Sequence, residues 1–390
     1  MPVKEYFDYL EAPSIDSSVE YEKDSIGARV EHFSGLRYNL ELEGANLALI
    51  GVKENRGSVT NLNCDNSADA IRKELFQLKN HGNLGHIADL GNLINGATVE
   101  DTYSAIALLC AELMRNKIMP IIIGGSQDVT FGQYSAYKQL AQIINIANVD
   151  ARFDLGKPEH GLDSESYIGK IILEQPNYLF NYSHIAHQTY FVGESAIDQM
   201  SKLFFDTYRL GHVRTDMLDI EPVLRNSDLL TFDMSSIKQS DAAATAKPSP
   251  NGLYGEEACQ LMFYAGMSEK LTSVGIYEYD ASKDKDNQTA QLIAQMIWYF
   301  MEGFYKRKNE MPQYNRNGYM KYMVTLSNTE HEVIFLKSIK SDRWWMEIPI
   351  TDNYTKFQRH HIVPCSYKDY QQACTNEMPD RWWQTYQKLC

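Results

Sequence analysis

Along most of the chain, short continuous apolar runs alternate with longer stretches whose apolar residues recur three and four apart. That is the pattern of buried strands separated by amphipathic helices. The runs are NLALIGV from Asn46, GHIADLG from Gly85, MPIII from Met119, IINIANV from Ile143, TYFVG from Thr189, LLTF from Leu229 and LTSVGIY from Leu271. Helical spacing covers Ser67 to Leu78, with Ser67 available as a cap, then Val99 to Met114 and Val129 to Leu140. It returns over Ile197 to Tyr208, Glu256 to Ser268 and Thr289 to Phe304. Pro158 to His187 reads as loop with a short helix, and Pro248 to Gly252 as a loop rich in turn formers. The repeated alternation predicts an α/β fold: a doubly wound, mostly parallel sheet sandwiched by helices.

Both ends of the chain depart from this pattern. Residues 1–45 are acidic and weakly periodic and are expected to form an irregular extension to the α/β region, 46–304. In 305–390 the segments MKYMVTLSN and HEVIFLKSI alternate like antiparallel strands, which predicts a C-terminal appendage. Its two Asp-Arg-Trp-Trp segments, Asp342–Trp345 and Asp380–Trp383, are too isolated to form a repeat architecture, and their tryptophans are expected to be core or covering residues.

Composition narrows the function classes. The net charge of −14 argues against nucleic acid or an anionic membrane as the main partner. The six cysteines are scattered without a C-x-x-C pair, which suits free thiols in a reducing compartment. The opening MPVKEYFDYLEAPS carries acids where a signal peptide needs an apolar core, and no run reaches membrane-spanning length. The expectation is a soluble cytoplasmic protein.

Three of the apolar runs end in acids: Asp150 and Asp154, Asp233, and Glu278. Ligands of open α/β sheets bind outside the carboxyl ends of the strands, so these acids are expected to meet in one crevice. Strand periodicity would place Asp150, Arg152 and Asp154 on one face, and Asp233 beside Ser235. Crowded carboxylates repel one another and stay ionised only beside a cation, either a metal or Arg152.

In order, these segments resemble the ureohydrolase family, which includes arginase, agmatinase and formimidoylglutamase. ALIGVKENRG with Asp69-Ala70-Ile71-Arg72 resembles the family's opening strand and helix. GGSQDVTFG stands where the family carries Gly-Gly-Asp-His-Ser, and DARFD where it carries Asp-Ala-His-x-Asp. TFDMSSIKQSDAA with PNGLYGEEA is similar to the Ser-x-Asp-x-Asp segment and its sequel, and VGIYEYD to the strand presenting a substrate-facing glutamate, here Glu278. The resemblance implies an arginase-like three-layer fold, a homo-oligomer, and a site built for two manganese ions that produce a bridging hydroxide. Carried over by position, the ligand set is Gln127, Asp150, Arg152, Asp154, Asp233 and Ser235, with both histidines and one aspartate replaced.

One ion would rest on Gln127, Asp150, Asp154 and Asp233, all able to offer oxygen to a hard cation. The other would need a lone pair from Arg152, which a guanidinium lacks, so Arg152 is expected to fork onto Asp150 or Asp233 instead. The cofactor expectation is therefore none, or at most one weakly held manganese or magnesium ion. His160 lies near the loop where arginases keep a catalytic histidine, but at a different spacing, and reads as a solvated histidine. His184, His187, His360 and His361 show no metal-ligand spacing. The leading expectation is a pseudoenzyme that binds, scaffolds or regulates through the crevice or the C-terminal tail. The alternative is an active hydrolase of a linear amidine, similar to formimidoylglutamase, and a third is a subunit of a larger assembly.

Overall fold

In the computed structural model the described residues are 9–14, 20–33, 42, 44–81, 84–156, 161–327, 332–350 and 355–389. The main sheet contains β1 (Leu10–Glu11), β2 (Glu31–His32), β3 (Leu47–Val52), β4 (Ile87–Leu93), β5 (Met119–Ile123), β6 (Ile144–Val149), β7 (Leu179–His187), β8 (Asp206–Arg209), β9 (Leu229–Asp233) and β10 (Ser273–Tyr277). These ten strands pair in the order β1-β4-β3-β5-β10-β9-β6-β7-β8, with β2 also on β4. Of these pairings only β1 with β4 is antiparallel. Every residue of β3, β5, β6, β9 and β10 is buried, because helices cover both faces of a parallel sheet. That is why these strands read as largely apolar runs. The expected doubly wound fold is present.

Helices Ser67–Leu75, Val99–Arg115, Thr130–Gln139, Gly255–Gly266 and Gln288–Tyr305 stand where the periodicity put them. The second begins with a reciprocal cap between Thr98 and Asp101. Ser67 is not a cap: it is the first helical residue, and its hydroxyl donates to the Tyr279 carbonyl at 2.8 Å.

The structure corrects the sequence reading in four places. Pro158 to His187 contains the expected short helix, Tyr167–Leu173, but also the nine-residue strand β7. Its polar residues masked it, and they are satisfied inside: Asn181 and Ser183 both donate to Asp206 Oδ2, at 2.8 and 2.9 Å. TYFVG is not a strand. Thr189–Phe191 forms a 3-10 turn with Tyr190 and Phe191 exposed, and the following helix, Glu194–Lys202, ends before β8. The two short helices Leu210–Thr215 and Met217–Arg225 were not anticipated. Parts of the N-terminal segment also join the sheet as β1 and β2, rather than remaining an irregular extension.

The appendage forms its own antiparallel sheet, β11 (Tyr319–Thr325), β12 (Glu332–Ser338), β13 (Trp344–Glu347) and β14 (Ile362–Cys365), followed by helices Tyr367–Cys374 and Asp380–Leu389. It docks at the N-terminal ends of the main strands. Arg225 donates to the Trp344 and Cys365 carbonyls at 3.1 Å and stacks on the Trp345 ring. Arg359 pairs with Asp228, just before β9, and His360 stacks on Phe180 of β7 with ring centroids 4.2 Å apart. Trp344, Trp345 and Trp382 are buried, as expected of core residues, whereas Trp383 is exposed. Among the described residues no helix is long and apolar enough to cross a membrane. Cys64, Cys110, Cys259 and Cys365 are buried free thiols, and Cys374 is an exposed one.

Candidate metal and ligand crevice

The four neighbouring strands β5, β10, β9 and β6 each deliver one side of a crevice at their carboxyl ends. After β5 the chain turns through Gly124 and Gly125, with φ of +83° and +85°, values that glycine adopts without strain. This turn sets Gln127 against the end of β10, where its backbone N–H donates to Glu278 Oε1 at 2.7 Å. Glu278 is itself left-handed (φ +65°), held by its N–H donating to the Gly125 carbonyl and its carbonyl accepting from Ala246 N–H. A non-glycine residue held there costs on the order of 1 kcal/mol and persists only where its surroundings over-determine it.

Carboxylate oxygens of Asp150, Asp154 and Asp233 come within 4.8 Å of one another. Strand periodicity is not the reason. β6 ends at Val149, and Asp154 has φ +45°, so the chain curls back and returns Asp154 to Asp150. The two carboxylates repel each other there, and Asp150 adds to the effect of burial in raising Asp154. Asp233 accepts from Ser235 N–H at 2.6 Å, inside a 3-10 turn that places Ser235 beside it.

The same curl removes Arg152 from its expected place. Its guanidinium lies over the Phe191 ring, 4.0 Å from the centroid, and its backbone N–H donates to Asp150 Oδ1 at 2.9 Å. Among the described residues it forms no ion pair with Asp150 or Asp233, so the forked counter-ion is not present. His160 lies outside the described residues. The cation closest to its expected role is Lys247, from the loop before Pro248, which pairs with Glu165 and acts electrostatically on Asp150, Asp154, Asp233 and Glu278. Burial opposes its charge, but Glu165, Asp154 and Asp233 hold its pKa above the ordinary lysine value.

Lys247 and, at Asp150, Arg152 do not satisfy this many acids. Burial, followed by repulsion from Asp150, pushes Asp233 up to about 7. Burial raises Asp150 as well, and raises Asp154 and Glu278 well above the usual carboxylate range. Three buried oxygens at these positions have no hydrogen-bond partner among the described residues: Gln127 Oε1, Asp150 Oδ2 and Ser235 Oγ. In native proteins such atoms are nearly always met by a protein group, a water or an ion.

Behind the crevice lies a polar layer that sequence reasoning missed. Gln127 Nε2 donates to Asn148 Oδ1 at 3.2 Å and to the Tyr167 hydroxyl at 3.1 Å. Asn148 Nδ2 donates to the Tyr182 hydroxyl at 3.2 Å, which meets His184 Nδ1 at 2.9 Å, and His184 Nε2 meets the Asp150 carbonyl at 3.0 Å. Burial, with His187 adding to it, lowers His184 to about 3, so its imidazole is neutral. The available signal was Asn148, a polar residue inside the apolar run IINIANV. Lys247 gave none.

Comparison with known proteins agrees with this architecture. The sequence profile described as the Arginase family matches residues 45–302. The formimidoylglutamase of Staphylococcus aureus is 26% identical over 260 residues, covering 65% of this chain and 82% of that protein. The crystal structure of formimidoylglutamase from Bacillus subtilis aligns with a TM-score of 0.66 at 17% identity, covering 79% of this chain and 99% of that one. The Trypanosoma cruzi formiminoglutamase solved with Mn2+2 aligns at 0.63 and 18% identity, covering 70% and 97%. The profile match starts just before β3, ends in the last helix before the appendage and takes in every strand that feeds the crevice, so this chain belongs to the arginase family.

Proposed function

We propose that this chain is a metal-dependent C–N hydrolase of a linear amidine, similar to formimidoylglutamase, using one divalent cation rather than two. The observation that carries the reading is the Asp150–Asp154–Asp233 cluster, together with the unpartnered buried oxygens Gln127 Oε1 and Asp150 Oδ2. Carboxylate and amide oxygens suit a hard cation such as manganese or magnesium, so the donor set fits one ion. It does not fit the second ion of the family, because Arg152 has no lone pair to give and its guanidinium is turned onto Phe191. A bound divalent cation supplies Lewis acidity and lowers the pKa of water.

The chain's own residues do the remaining work. Asp150, Asp154 and Asp233 hold the ion, and the negative field of these acids with Glu278 favours a cationic amidinium over a neutral amide. Lys247 and Arg152 are positive charges near the acids and suit a carboxylate at the far end of the substrate, which favours formimidoylglutamate over agmatine. The expected result is manganese-dependent release of formamide from formimidoylglutamate by purified protein. No turnover of formimidoylglutamate, arginine, agmatine or guanidino acids at high manganese would overturn this reading.

A second reading, a non-catalytic binder in a hydrolase fold, is favoured by Arg152 at a position where the family presents a histidine. It predicts saturable binding of the amidine with no product formed.

A further inference from the structure

The polar layer behind Gln127 has a direction. The Asp150 carbonyl can only accept, so His184 carries a proton on Nε2; fully buried and without an ion pair among the described residues, the imidazole holds that proton alone and presents Nδ1 as an acceptor. The Tyr182 hydroxyl therefore donates to Nδ1, and its oxygen is left to accept from Asn148. The Asn148 group facing Tyr182 must then be its NH2, which turns Asn148 Oδ1 toward Thr231 Oγ1, at 2.7 Å, and Gln127. Both hydrogens of the Gln127 amide are taken up by Asn148 and Tyr167. The amide can flip only if every bond in the series reverses, and the fixed carbonyl of Asp150 forbids that. Gln127 Oε1 is thus the end of the series that has no partner among the described residues.

We infer that His184, Tyr182 and Asn148 are positioning residues that lock the Gln127 amide with its oxygen toward the carboxylate cluster, making Gln127 a neutral oxygen ligand of a hard divalent cation. The inference rests on the single-cation reading above. Its physical content is that an amide has a donor end and an acceptor end of nearly equal shape, fixed by its covalent structure and not by a movable proton as in an imidazole. An amide ligand needs a partner that distinguishes them. The series begins at the backbone of Asp150, whose own side chain belongs to the same cluster, so one residue both holds the ion and fixes the orientation of its neighbour.

The test is a double-mutant cycle on manganese affinity, measured by calorimetry on the full chain. Gln127→Leu and Asn148→Leu are each expected to weaken binding on the order of tenfold, and the double variant no more than either alone. Additive losses would overturn the relay, as would parent-like affinity in Gln127→Leu. Absence of saturable manganese binding by the parent chain would sink the cation reading and the relay's role together. Binding by the parent that both variants retain would sink the relay alone. A second measurement needs neither metal nor an altered fold. In parent protein carrying 15N-labelled histidine, the His184 resonances, assigned by their loss in His184→Gln, should report the Nε2–H tautomer. The Nδ1–H tautomer would reverse the series and overturn the inference.

Discussion

The two ends of the main sheet treat buried acid in opposite ways. At the N-terminal end Asp228 is fully buried, yet its carboxylate is met by Arg359, by Asn145 N–H at 2.9 Å and by Lys270 Nζ at 3.9 Å. At the C-terminal end four acids crowd one crevice with Lys247 as the cation acting on all of them, and their pKa values rise in consequence. The first arrangement is a completed structure, in which the appendage supplies the missing charge through Arg359. The second has acceptors to spare. Charge that a fold leaves unmatched at the carboxyl ends of its strands is an opening for a ligand, whereas charge matched at the other end is a fastening.

The contrast makes substitutions at the two ends differ in sign. Asp228→Ala should destabilise the protein by about 3 kcal/mol, because two cations lose their buried partner. Urea unfolding would measure it, and release of the appendage to limited proteolysis should accompany it. A loss below about 1 kcal/mol would mean the fastening lies elsewhere.

At the crevice, Asp233→Asn should stabilise the metal-free chain by about 1 kcal/mol at pH 8, since it removes a charge that burial and Asp150 disfavour. The sign follows from proton uptake. With a folded pKa of about 7 against an ordinary 3.8, the folded state binds the extra proton between those values, so the parent loses stability as pH rises through that window. The advantage of Asp233→Asn should therefore be full above pH 7 and vanish near pH 4. An advantage that grew toward acid would refute the assignment.

Added manganese should raise the melting temperature of the parent at pH 8 by a few degrees and that of Asp233→Asn far less, because the ion binds the folded carboxylates. Equal shifts would place the ion outside this cluster. The smallest effect belongs to Arg152→Ala. Its guanidinium stacks on the half-exposed Phe191, a contact worth about 0.5–1 kcal/mol. A loss of several kcal/mol would restore Arg152 as the counter-ion of the acids.

Much of this was legible in the sequence for a physical reason. Strands covered on both faces are mostly apolar, and β3 and β5 are so throughout while β6, β9 and β10 carry only a few polar residues. Acids that terminate such runs can only lie at the sheet's carboxyl edge, which located Asp150, Asp233 and Glu278. β7 was hidden because Asn181, Ser183 and His184 satisfy one another and their neighbours in the interior, and no periodicity reports that. The position of Arg152 was misread because alternation was extended past the end of β6 into a segment where Asp154 takes positive φ. Lys247 arrives from a loop whose path no local pattern encodes.

The order of the strands has a bearing on how the molecule comes into being. β10 lies between β5 and β9, yet it is the last strand of the main sheet to leave the ribosome. Until it arrives, β4-β3-β5 and β9-β6-β7-β8 are two separate half-sheets, each with an open, mostly apolar edge of the kind that recruits other chains. Closing the sheet joins these edges and brings Glu278 to Gln127 in the same event. A chain stalled before Ser273 would lack Glu278 and keep both edges open, a state that invites association with other chains.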